Sequence, residues 1–307
     1  MVTRLLLRFW LVMLLALMVP AGASAAGLES PDVYRLATVV SQEVEYLRWY
    51  MGRPRLKQEK PRVRHVSPHE VYFQAVTLFE KANRLNFELT LDSGSLPNPP
   101  IGDIHPEHVY GVLKAVANVL GNINYTLDIV HEVEMPPRNA SMTPTDVFQV
   151  VVQANRQINL MIDQQFSPSD AYRQVSVALA YAESILATQD NLAPPPAPVP
   201  LTPGKRPVDV YRRLLAVYDI IHQLSDKRGL PLLDLVLWTT DEQQVRPSDV
   251  FDVASLLVSE LAYIHTNMPD ARPPRKVIWV RGKFPSDVYQ RVDVLEFLLM
   301  EILARMK

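Results

Sequence analysis

The chain has no cysteine among its 307 residues. That excludes a disulfide scaffold, a thiol nucleophile, a Cys-ligated zinc site, an iron–sulfur cluster and a lipid-modified N-terminal cysteine. Glycine is scarce, at 10 residues, so tight backbone cradles for phosphate are not expected. The sequence also lacks a GxSxG elbow, an SxxK motif with its partners and a zinc-protease helix motif. Nothing points to a catalytic residue, a bound cofactor or a motif-defined metal site.

Long apolar runs are missing as well. The stretch from Phe9 to Val19 is the exception, and at about 11 residues it is short for a bilayer's ~30 Å core. Arg4 and Arg8 precede it, and Ala23-Ser24-Ala25 follows as a small-x-small cleavage site. Residues 1–25 therefore predict a cleaved secretory signal peptide, with an uncleaved N-terminal anchor as the alternative. There is no twin-Arg pair, which favours the general export route. Export without any cysteine fits a bacterial periplasm. After cleavage 29 basic residues face 33 acidic ones, a net charge of −4 that does not suggest a nucleic-acid partner. No transmembrane segment is expected in the mature chain.

What the sequence has in quantity is proline, 26 residues, and one recurring phrase. SPDVY, SPHEVY, HPEHVY, TPTDVF, SPSDAY, RPVDVY, RPSDVF and FPSDVY place an aromatic at Tyr34, Tyr72, Tyr110, Phe148, Tyr172, Tyr211, Phe251 and Tyr289. The spacing is 38–40 residues except for 24 between the fourth and fifth copies. Each phrase reads as a helix start. Proline suits the first helical position, Ser or Thr before it can cap, and a carboxylate in the first turn favours the helix dipole and can reach back to a free N–H. The third copy has His108 in the carboxylate's place.

Stepping 0, +4, +7, +11 and +14 from the residue before each aromatic, all forty positions are apolar. The first copy gives Val33, Ala37, Val40, Val44 and Leu47. A 4-3-4-3 stripe is one face of an α-helix and the seam of a bundle. The sequence thus predicts an all-α protein of eight amphipathic helices of about 20 residues with long Pro-rich connectors, a bundle or solenoid in two four-helix halves. The halves are residues 26–166 (repeats one to four) and 167–307 (repeats five to eight).

Connectors such as LPNPPIGDIH and MPDARPPRK are long enough to run back along a helix, at ~3.3 Å per residue, so helices can lie parallel. The 24-residue spacing predicts an antiparallel hairpin between the fourth and fifth helices. LPLLDLVLW at 230–238 is a candidate second helix within a connector, and KVIWVRG at 276–282 a candidate short strand.

Two patterns bear on function. If neighbouring helix starts lie side by side, His65, His69, His105 and His108 could meet around Zn²⁺ or Cu²⁺, although no ligand motif supports this. The first connector carries Arg48, Arg53, Arg55, Lys57, Lys60, Arg62 and Arg64 against Glu59 alone, and Trp49 and Tyr50 precede it. Arg53, Arg55, Lys57, Lys60, Arg62, Arg64, Trp49 and Tyr50 form the candidate partner-binding patch, for a protein or an anionic envelope component. The leading expectation is a non-enzymatic periplasmic binding or scaffolding module for another macromolecule, because stacked repeats build extended surfaces. The alternative is a carrier of an apolar small molecule or metal ion between the halves.

Overall fold

In every repeat the first-turn acceptor bonds back to the N-cap. The computed structural model describes residues 27–55, 61–100, 102–163, 166–189, 199–237, 245–268 and 270–306. Its helices are α1 (Ser30–Tyr50), α2 (Pro68–Thr90), α3 (Pro106–Thr126), α4 (Pro144–Ile158), α5 (Pro168–Ala187), α6 (Pro207–Arg228), α7 (Pro247–Thr266) and α8 (Pro285–Arg305). They cover 64% of the described residues, about twice the globular average.

The backbone N–H groups of Glu29, Ser67, His105, Thr143, Ser167, Arg206, Arg246 and Phe284 each donate to the residue three positions on, at 2.7–3.2 Å. Seven of these acceptors are carboxylates; the eighth is Nδ1 of His108. Imidazole therefore does the carboxylate's work in the third repeat. The hydroxyls of Ser67, Thr143 and Ser167 donate to the same carboxylates rather than serving mainly as caps. The reach-back bond thus rests on a carboxylate in seven repeats and on an imidazole in the third.

The four helices of each half run parallel. Pro68, Pro106 and Pro144 surround one point together with Ser30 of α1. Pro168, Pro207, Pro247 and Pro285 do so in the second half. In the first half α1 and α2 each pack on α3 and α4; in the second, α5 and α6 each pack on α7 and α8. The first two helices of each half are thus diagonal in a square, as are the last two. All forty stripe positions face the bundle axes, none more than 3% exposed. Burying a Val, Leu or Ile side chain contributes about 1.5–3 kcal/mol, so this stripe is the main source of cohesion. No helix among the described residues is long and apolar enough to cross a membrane.

The connectors hold no second helix among the described residues. Within 230–238, Asp234–Leu237 is instead a strand, β2, paired antiparallel with β1 (Arg62–Arg64) of the first connector. Leu232 and Leu233 just before it are buried. The 276–282 segment is irregular and is not a strand.

The halves join differently from a packed hairpin. Helix α4 stops at Ile158, and Met161 completes its stripe from a turn. The chain then leads to Phe166, whose ring lies 4.5 Å from that of Phe251 on α7. The seam between the bundles is made by α2 against α7. These two helices are antiparallel: His69 at the start of α2 meets Glu260 near the end of α7, and Lys81 further along meets Asp252 near α7's start. The reversal of direction expected from the short spacing therefore exists between halves, but α2 and α7 carry its contact because Phe166 is drawn into the seam.

Candidate functional site

The basic connector is partly neutralised. Arg53 pairs with Asp163 at 2.5 Å and Arg55 with Glu45 at 3.1 Å. Arg48 also pairs with Glu45 and donates to the Arg53 carbonyl. Arg62 and Arg64 are exposed on β1, while Lys57 and Lys60 lie outside the described residues. Trp49 is 66% exposed. Tyr50 is exposed too, with its hydroxyl 3.3 Å from the Leu127 carbonyl.

The four histidines do not converge. His65 bonds Asp234 at 2.8 Å, and His105 and His108 stay together at the start of α3, 5.8 Å apart. Nor do the repeat aromatics form one exposed row: Tyr72, Phe148, Tyr211 and Phe251 are buried.

What the fold does bring together is His69, Glu70 and Glu260. All three are buried, and one ligand atom from each lies within 4.8 Å of the others. The first turn of α2 positions two of them. Glu70 Oε2 accepts from the Ser67 N–H at 2.8 Å and from Ser67 Oγ at 2.7 Å. Glu70 Oε1 is thereby turned inward, where it accepts from the Leu233 N–H at 3.1 Å. Leu233 is itself held by the buried Tyr218 hydroxyl, which donates to its carbonyl at 2.5 Å. His69 stacks on Tyr263 of α7, with ring centroids 4.1 Å apart and planes 4° from parallel. Its Nε2 lies 3.2 Å from Glu260 Oε2 and 3.4 Å from Glu70 Oε1.

While Glu70 is ionised, the hydrogen bonds select one tautomer. Ionised Glu70 only accepts, so the Ser67 hydroxyl donates to it. Ser67 Oγ, 2.6 Å from His69 Nδ1, then accepts the Nδ1–H. Burial pushes the Glu70 carboxyl up to about 7, helped by the charge of Glu260. Burial also carries Glu260 well above the usual carboxylate range and lowers His69. Tyr218 is raised by the same cause.

Beside this cluster is a cavity of about 410 Å³ between the bundles. The rings of Tyr72, Phe73, Tyr181 and Tyr263 line it, with Ser67 and His69 among its polar groups.

The other end of the seam is an ion pair. Lys81 Nζ lies 2.6 Å from Asp252 and 3.4 Å from the Asn155 carbonyl, fully buried. Burial raises Asp252, against the pull of Lys81.

Sequence reasoning singled out His69 but missed Glu260 and Glu70's inward oxygen. One signal was present. Helix α7 carries Asp249, Asp252 and Glu260 but no Lys or Arg over 20 residues. Apolar residues on every side leave it little solvated face, so its acids have to be buried. No protein-family model matches the chain, and comparison with curated sequences and with solved structures finds no match.

Proposed function

We propose that the chain is an exported, non-enzymatic binding protein that holds a small molecule between its two bundles. The observation that carries this is the inter-bundle cavity, about 410 Å³ and walled by four aromatic rings with a few polar groups. That size and lining suit a compact, ring-bearing ligand with one or two hydrogen-bonding groups. The apolar N-terminal segment with its small-x-small site supports export. Ala262 lines the cavity, so Ala262→Phe should fill it. Native mass spectrometry of protein purified from its own cells should find a bound molecule in the wild type and none in the variant. A ligand retained by a folded Ala262→Phe protein overturns the reading.

Docking of an anionic macromolecule on the first connector is the second reading, favoured by the exposed Trp49. Pairing of Arg48, Arg53 and Arg55 with acids weakens it. Replacing Arg62 and Arg64 with Ser should then weaken capture of the partner and flatten its salt dependence. Unchanged capture sinks that alternative.

A further inference from the structure

We propose that His69 Nε2 and one carboxylate oxygen each of Glu70 and Glu260 form a three-ligand site for a divalent transition-metal ion of the Zn²⁺ class. The site does not depend on the cavity having a ligand.

The first support is spacing. Zn–N and Zn–O bonds of about 2.0–2.1 Å at tetrahedral angles put ligand atoms about 3.3 Å apart. The separations from Nε2 to the two carboxylate oxygens are 3.2 and 3.4 Å. The second is the direction of the lone pairs. With Nδ1–H committed to Ser67 Oγ, Nε2 faces two carboxylate oxygens. Three acceptor atoms lie within 4.8 Å of one another, and positive charge between them is favoured. A proton satisfies one of those contacts; a divalent cation satisfies all three. The third is an unpartnered atom. Glu260 is fully buried, and its Oε1 has no hydrogen-bond partner. The oxygen facing His69 is the other one, Oε2, so the buried Glu260 carboxylate has no partner besides the imidazole to offset its charge.

The surroundings fit a metal centre. The His69–Ser67–Glu70 chain of hydrogen bonds locks the imidazole orientation, as outer-shell partners of metal-bound histidines do. His69 also lines the cavity, which provides an entry path. One imidazole with two carboxylates suits Zn²⁺, Fe²⁺ or Mn²⁺ rather than Ca²⁺, and Zn²⁺ binds tightest of the three by the general affinity order.

The test uses the full chain stripped with a chelator and titrated calorimetrically with Zn²⁺. One ion per chain is expected. Glu260→Gln and His69→Gln should each weaken binding at least about 100-fold. His105→Gln combined with His108→Gln should leave it unchanged. Glu260→Gln keeps the side-chain shape, and its circular dichroism and melting temperature without metal verify its fold. Zn²⁺ should raise the melting temperature of the wild type and not of this variant. A folded wild type that takes up no Zn²⁺ at about 1 mM, a weak affinity by any standard, overturns the proposal. So does wild-type affinity in folded Glu260→Gln, or loss of binding in the His105/His108 variant. Zn²⁺ binding in a protein with no cavity ligand leaves this proposal standing and removes only the cavity reading.

Discussion

At one end of the α2–α7 seam two cations, Lys81 and Arg156, act on two carboxylates, Asp249 and Asp252. At the other, two carboxylates share a single imidazole. The two ends are built from matching places in the repeat. Lys81 lies nine residues past Tyr72, and Glu260 nine past Phe251. Because the helices are antiparallel, each of these residues reaches the start of the opposite helix. A cation in that place completes a balanced pair; a carboxylate there leaves negative charge uncompensated. Balanced burial serves the docking of the bundles, whereas the unbalanced end is where an added positive charge gains most.

The sharpest break of this comparison removes one partner at the balanced end. Lys81→Met should strand Asp252 and cost about 3–5 kcal/mol in urea unfolding, and adding Asp252→Leu should recover most of it. Glu260→Gln, at the other end of metal-free protein, should change stability by less than about 1 kcal/mol, because burial already favours the neutral carboxyl there.

The second prediction concerns pH. The folded-state value of Glu70, about 7, lies above its ordinary value of 4.5. Its contribution to stability is therefore fully present below about 4.5 and is lost as pH rises through about 7. In metal-free protein the melting temperature of the wild type should fall relative to that of Glu70→Gln over that window, while the lowered His69 acts in the opposite direction in both proteins. Glu70→Gln, which removes the titrating group, should flatten the slope. Identical pH profiles for the two proteins would refute the assignment.

A smaller effect is expected from Tyr218→Phe. It leaves the Leu233 carbonyl without its donor and loosens the segment that bonds Glu70. Chemical denaturation should register a loss of about 1–2 kcal/mol. Smallest of all, Arg62→Ser and Arg64→Ser on the exposed side of β1 should each shift stability by no more than about 0.5 kcal/mol. A larger loss would mean that the first connector braces the seam through these side chains.

The helix starts and the forty core positions were legible in the sequence, because each follows from chemistry within a few residues, whereas the parallel direction within each half was legible only as an option. Proline at the first turn, an acid reaching back three residues and a 3.5-residue stripe are local instructions, and the long connectors allow helices to start at one end. The third repeat's His108 shows that even an apparent exception was local, with a ring nitrogen standing where an oxygen usually does. Tertiary structure alone decided which helices form the seam, that Phe166 is drawn into it, and that 234–237 becomes a strand. Strand formation needs a partner's backbone, and β2 found that partner some 170 residues earlier in the chain. The candidate site belongs to the same class. His69 and Glu260 are separated by 191 residues, and no local pattern relates them. They meet because α7 has little solvated face, so its carboxylate is buried against what the other bundle presents.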